Sequence, residues 1–413
     1  MFRVSQFMHE IVAPTPVGPH RDLPGPVVIW NLTRRCNLAC KHCYAISSDK
    51  PYPGELDTAQ IRGVIDDLKA ARVPVLILSG GEPLMRPDLD EITAYAMKRG
   101  FYTALSTNGV LLDDDAVAAR VASAGYDYVG ISLDGLEETH DRFRRRQGAF
   151  RASLSAIRRC VRAGAKVGIR FTLTEDNADD FPALLELMHR EGIQKFYLSH
   201  LNYGGRGNIN RGADAHGLRT RWALDLLFET ALADARAGLD REYVTGNNDA
   251  DGVYLWHWVR ARLPEHAEHV RAKLVQWGGN ASGVNVANID NVGNVHPDTF
   301  WWDVSIGNVL ERPFGEIWAD TSDPLMAGFR MRPRPVTGRC GACAALDICN
   351  GNARVRAWQV TGDPWAEDPG CFLTDPEIGL GEGGERIAVT PFKAGEAERD
   401  RAFVERFEAG ASR

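Results

Sequence analysis

The chain has 413 residues, of which 44% are hydrophobic and 25% charged, and its formal net charge is −7. That composition excludes a disordered chain, and the acidic balance lacks the basic surplus that a broad nucleic-acid footprint needs. No apolar run approaches the roughly 20 residues that cross a bilayer, and the N-terminal stretch has no apolar core followed by a cleavage site, so the expectation is a cytoplasmic protein with neither membrane nor nucleic-acid partners.

Residues 1–25 read as an extended leader, punctuated by Pro14, Pro16, Pro19 and Pro24. From residue 26 onward, strand and helix patterns alternate. Strands are predicted at 27–32, 75–79, 101–106, 128–133, 166–173 and 195–200. Helices are predicted at 58–71, 88–99, 114–124, 150–163, 182–191 and 219–238. The first of these carries Ile61, Val64, Ile65 and Leu68 at helical spacing. Such alternation predicts a parallel sheet with right-handed crossovers. The strands are too few to close an eight-stranded barrel. The expected fold class is therefore α/β, a partial TIM-like (β/α)6 barrel over 26–240, with ligand groups at the C-terminal strand ends. Residues 241–335 are rich in Gly, Asn and aromatics and read as a bridging region. It holds one hairpin, 287–289 with 294–296, around Asp290 to Gly293. A loop-rich cysteine unit at 336–378 and a charged tail at 379–413 follow.

Seven of the eight cysteines are clustered. Cys160 stands alone in a helical run and reads as a small buried hydrophobe. Cys36, Cys40 and Cys43 follow the first predicted strand. In a chain expected to stay in a reducing compartment, such clustering points to metal or redox chemistry, not disulfides. Iron–sulfur clusters usually take four thiolates. Three would leave one iron open, and an open position is where a substrate binds. Structural zinc wants four ligands, and His42 is awkwardly placed beside Cys43.

The pattern Cys36-x3-Cys40-x-His42-Cys43, with His42 in an aromatic slot, resembles the signature of the radical S-adenosylmethionine (SAM) superfamily. The resemblance implies a 4Fe–4S cluster on Cys36, Cys40 and Cys43 whose open iron binds the amino and carboxylate groups of SAM. Cleavage of the sulfonium would yield a 5′-deoxyadenosyl radical that abstracts hydrogen. Further strand ends match the same family. Gly80-Gly81-Glu82-Pro83 is expected at the SAM amino group, with the glycines allowing close backbone approach. Ser106 and Asn108 end the third strand, and Ser132 and Asp134 the fourth. Their hydroxyl and amide groups suit the ribose and methionine carboxylate. Arg170, inside the fifth strand, is expected to pair with that carboxylate.

Cys340, Cys343, Cys349 and Cys371 supply four thiolates, enough for a complete 4Fe–4S cluster and equally for zinc. The segment resembles the SPASM-type extension of radical SAM enzymes, which implies a loop-rich iron–sulfur domain. That extension commonly carries two auxiliary clusters. Here Asp298 stands where one further cysteine is expected after Gly293, and Ala353 where another is expected after Cys349. One auxiliary cluster is therefore expected, making two 4Fe–4S clusters in all.

Longer stretches, including Ala13 to Pro19, Val27 to Leu32, Ser199 to Tyr203, Thr245 to Gly252 and Gln276 to Asn280, resemble the tetrapyrrole-modifying pre-haem d1 synthases. The resemblance implies a didecarboxysirohaem-type substrate, losing two propionate side chains, and an external electron donor such as a flavodoxin or ferredoxin. Another tetrapyrrole enzyme of the alternative haem pathway, or a peptide-modifying SPASM maturase, is the alternative. A flat macrocycle with carboxylate arms wants aromatic walls and basic anchors. Tyr203, Trp256, Trp258, Trp301 and Trp302 are candidate walls and Arg206 and Arg211 candidate anchors. His200, His257 and His296 are candidate axial ligands.

Overall fold

The computed structural model describes residues 1–18, 24–215, 217–381 and 384–389. Its strands are β1 (Phe2–Arg3), β2 (Val27–Asn31), β3 (Val75–Ser79), β4 (Tyr102–Thr107), β5 (Tyr128–Ser132), β6 (Val167–Leu173), β7 (Lys195–His200), β8 (Glu242–Gly246), β9 (Val286–Ile289), β10 (Asn294–His296) and β11 (Gly307–Asn308). They form one sheet in the order β1-β8-β7-β6-β5-β4-β3-β2-β9-β10-β11. From β2 to β8 every neighbouring pair is parallel. The C-terminal ends of these strands therefore share one rim, where open parallel sheets place their ligands.

All six strands expected from the sequence are present. The sheet nevertheless runs past residue 240: β8 extends it beyond β7, and β9 pairs in parallel with β2 on the other side. The expected hairpin is real and joins β9 to β10. Alternation builds the layers. In β2 and β3, Val28, Trp30, Leu76 and Leu78 are buried, while Ile29 and Ile77 on the opposite face are half-buried. Helix Thr58–Ala70 lays down Ile61, Val64, Ile65 and Leu68. Its start is fixed by a reciprocal capping box between Asp57 and Gln60.

The N-terminal residues are not an extended leader. Phe2–Arg3 pairs with β8, and Val4–Val12 is a helix that buries Val4, Phe7, Met8 and Ile11. Those apolar residues have helical spacing, but the prolines just beyond them dominate the sequence pattern. Helix Glu137–Arg144 also lacked a signal, because its polar sequence has no apolar stripe. Helix Ala250–Arg262 buries every residue from Ala250 to Val259, so it presents no amphipathic period. No helix among the described residues is long and apolar enough to cross a membrane. Pro19 and residues 390–413 of the expected tail lie outside the described residues.

Candidate active site

The loop after β2 brings its three cysteines into one small apolar nest. Cys36 and Cys40 are buried with Leu38, Val110, Ala149 and Ala152, and Cys43 is half-buried against them. Burial pushes the Cys36 and Cys40 thiols up. Yet each sulfur faces an N–H donor, which suits a metal-bound thiolate. Leu38 N lies 3.4 Å and Asn108 Nδ2 3.8 Å from Cys36 Sγ. Arg144 Nη1 lies 3.6 Å from Cys40 Sγ, and Ser47 N 3.4 Å from Cys43 Sγ.

The loop is clasped from two sides. Arg206 Nε donates to Cys40 O at 2.7 Å and Nη1 to Ser47 O at 3.0 Å. Arg206 therefore fastens the cysteine loop and is not a free anchor for substrate. Arg211 donates to Asn208 Oδ1 at 3.0 Å from an exposed position. On the other side Lys41 N donates to Phe143 O at 3.2 Å. The His42 ring stacks on Phe143 at 4.7 Å, and burial holds its pKa well below the usual range.

Gly80 and Gly81 are required by this loop. A Cβ at Gly80 would meet Thr33 O at 2.4 Å, and one at Gly81 would meet Arg35 O at 2.3 Å. The two segments are stitched together by Gly81 N to Thr33 O (2.6 Å) and Glu82 N to Arg35 O (2.9 Å). Pro83 opens the short turn Pro83–Met85. Glu82 is fully buried and accepts from Thr107 Oγ1 (2.7 Å), Asn108 N (2.8 Å) and Leu84 N (3.2 Å). Burial raises its pKa to about 7 against these bonds. Thr107 thus links this turn to the end of β4.

The expected SAM contacts divide into two groups. Asn108 is engaged within the protein, donating to Asn37 Oδ1 at 2.7 Å and accepting from Val110 N at 2.9 Å. Asp134 accepts from Thr172 N at 2.7 Å and pairs with Arg144. Ser106, Ser132 and Arg170 are half-buried on one face of β4 to β6, where Ser106 pairs with Gly130 and Ser132 with Arg170. The Arg170 guanidinium lies 5.2 Å from the Tyr197 ring, and no carboxylate among the described residues pairs with it.

Four of the five candidate aromatic walls are core residues. Tyr203, Trp256, Trp258 and Trp301 are buried. Trp302 is half-buried, 5.9 Å from the ring of Tyr44 and 6.0 Å from that of His296. Tyr44 follows Cys43 directly and also meets Phe300 at 5.4 Å. The three histidines are buried as well. His200 Nε2 is 2.9 Å from Asp251 Oδ2, His257 Nε2 bonds Glu377 O at 3.0 Å, and His296 Nδ1 bonds Val304 O at 2.7 Å. The second ring nitrogens of His257 and His296 have no hydrogen-bond partner among the described residues. Cys160 is buried in the core, as its helical setting implied.

Far along the chain, Cys340, Cys343, Cys349 and Cys371 line one cavity, with Ala250, Val253, Arg339, Asn352 and Leu373. Ala345 N lies 3.3 Å from Cys343 Sγ, Asp368 N 3.4 Å from Cys340 Sγ and Arg339 Nη1 3.4 Å from Cys371 Sγ. Burial pushes the Cys343 thiol up to about 11 and raises Cys349 and Cys371 too. No three His, Cys, Asp or Glu side chains among the described residues gather on a single-ion position. Asp298 is instead tied to Ser282 Oγ (2.5 Å) and Phe300 N (2.8 Å), and Ala353 is buried.

The family model of the radical SAM superfamily matches residues 30–188, the stretch that carries the first cysteine loop and strands β3 to β6. Along nearly the whole chain the protein is 52% identical over 406 residues to "Pre-heme d1 synthase" of Dinoroseobacter shibae, covering 98% of this chain and 100% of that one. The chain belongs to the radical SAM superfamily. It is also 44% identical over 360 residues to "Fe-coproporphyrin III synthase" of Methanosarcina barkeri, covering 86% and 90% of the two chains. The fold matches Streptococcus suis SuiB bound to S-adenosylmethionine with a TM-score of 0.65 at 17% identity, covering 86% of this chain and 79% of that one.

This radical SAM enzyme therefore uses a 4Fe–4S cluster and SAM. Its residues fit them. Three thiols on one loop, each facing an N–H, suit a cluster with one open iron. The hydroxyls of Ser106 and Ser132 and the guanidinium of Arg170 suit a ligand with ribose and carboxylate groups.

Proposed function

We propose that the enzyme acts in haem d1 formation, removing two propionate side chains from a didecarboxysirohaem-type tetrapyrrole. The observation that carries this reading is the 52% identity over the full length of a protein named pre-heme d1 synthase. Cys36, Cys40 and Cys43 would hold the catalytic cluster. When bound and reduced, that cluster supplies the electron that splits SAM and yields the hydrogen-abstracting 5′-deoxyadenosyl radical. Arg170 binds the SAM carboxylate, and Ser106 and Ser132 accept its ribose. Gly80, Gly81, Glu82 and Pro83 shape the amino-group side, with Glu82 bracing the turn. Asn108 and Asp134 act one step removed, by holding Asn37 and Arg144. Trp302 and Tyr44 give the macrocycle a flat wall beside Cys43. The hydrogen abstracted is on the β-carbon of the propionate arm.

Cys340, Cys343, Cys349 and Cys371 would hold a second 4Fe–4S cluster. The resemblance of this segment to the SPASM-type extension favours this over zinc, which the same four thiols would also suit. An external flavodoxin or ferredoxin supplies electrons.

The test is anaerobic reconstitution, reduction, and addition of SAM with didecarboxysirohaem, following 5′-deoxyadenosine and macrocycle mass together. Deoxyadenosine with loss of propionate-derived mass is expected. The 44% identity to a protein named Fe-coproporphyrin III synthase favours a second reading, a different side-chain removal from a tetrapyrrole. A mass loss that leaves both propionates in place would establish that reading instead. An unchanged macrocycle would send the search to peptide substrates.

A further inference from the structure

Arg144 ends helix Glu137–Arg144 in an interior that offers it little water. Its Nη1 points at Cys40 Sγ, 3.6 Å away. Its Nη2 is paired with Asp134, which is fully buried. The other Asp134 oxygen is occupied by Thr172 N at 2.7 Å, so the carboxylate is fixed to β6. His140 adds no charge here. Its Nδ1 accepts the Asp134 N–H at 2.9 Å, and burial with the neighbouring Arg144 lowers its pKa to about 3. One cation and one anion thus lie in line behind one cysteine sulfur. A pair made only for stability would not need to aim a guanidinium N–H at a thiol, and a buried ion pair contributes little stability over apolar packing.

Reduction of a cluster adds one negative charge. A positive charge a few ångströms from a ligand sulfur favours the reduced form, strongly so where water is excluded. A carboxylate behind it works in the opposite sense. We infer that Arg144, held in place by Asp134, sets how readily the cluster on Cys36, Cys40 and Cys43 takes up its electron. Arg144 is then a positioning residue that acts through Cys40. The inference rests on the cluster assignment proposed above and gives Asp134 a task other than touching SAM. The step itself is one electron passing from reductant to cluster, with no bond made or broken at either side chain.

The experiment uses the full reconstituted chain. Iron per chain is counted, and the reduced-cluster signal that changes on adding SAM is followed by electron paramagnetic resonance during a mediated dithionite titration. Arg144→Gln lowers the midpoint potential and Asp134→Asn raises it. At the wild-type midpoint, the ratio of reduced to oxidised cluster moves about tenfold in opposite directions. Arg144→Lys keeps the charge and falls between wild type and Arg144→Gln. Unchanged midpoints at full iron content, or shifts of the same sign in Arg144→Gln and Asp134→Asn, would overturn the inference. So would loss of the iron in all three variants, which would make the pair a scaffold. A wild-type protein with no SAM-responsive signal would instead sink the cluster assignment.

Discussion

Two residues show how narrow the tolerances of the catalytic loop are. Gly81 has no room for a side chain, because its Cβ would press on the carbonyls of Arg34 and Arg35, directly before Cys36. Neither contact is the end of a flexible side chain, so relief means moving the cysteine loop. Gly81→Ala is expected to lower SAM cleavage about a hundredfold, the scale of a one-ångström misplacement of reacting groups. Deoxyadenosine release at fixed iron loading checks it. Cys40→Ala removes one of the three proposed cluster thiolates and is expected to abolish that release. Gly80, Gly81 and the three cysteines were legible in the sequence because their motifs resemble the family signature. The Thr107–Glu82 and Arg144–Asp134 links were not, since each joins residues on different strands or helices and only the folded sheet brings them together.

At the scale of elements, periodicity decided what could be read. The six interior strands and the amphipathic helices between them announce themselves by alternate or helical apolar spacing. Helix Ala250–Arg262 does not, being buried along its first ten residues, and β8 is buried along nearly its whole length without alternation. β9 was legible as one half of the hairpin, but its pairing with β2 only the folded sheet reveals. The N-terminal helix was obscured by the prolines after it, and its docking makes a specific prediction. Glu10 accepts from Thr15 and meets His269 Nε2 at 2.9 Å and Lys273 Nζ at 3.0 Å. Burial pushes its pKa up, but these partners outweigh it and hold the carboxyl at about 2 instead of 4.5. A depressed carboxylate contributes stability that is present above pH 4.5 and is lost as pH falls toward 2. Glu10→Gln should therefore lower stability by about 1–2 kcal/mol near neutrality and flatten the acid limb of denaturation. Equal pH slopes in the two proteins would refute this.

In the whole molecule, the two cysteine sites are mechanically joined. The second cavity takes two of its walls, Ala250 and Val253, from a helix that follows β8 directly. The C-terminal segment is then locked to the outer helix Gly217–Arg236. Arg221 Nη1 meets Glu377 Oε1 at 2.8 Å and Nη2 meets Oε2 at 2.5 Å, with both side chains almost fully buried. Breaking a buried ion pair by removing one partner typically costs about 3–5 kcal/mol. Glu377→Ala should show that loss in denaturant melts. It should also release the segment between Cys371 and Ile378, which closes the second cavity. Cys343→Ala separates this from loss of the proposed second cluster, and should remove about half the iron, since two such clusters would carry four irons each. If the lock is what keeps the second site closed, Glu377→Ala loses the same half more slowly, on storage or dilution, while the SAM-responsive cluster persists. Retention of all the iron in Glu377→Ala, at the lowered stability, would show that the second site closes without the lock.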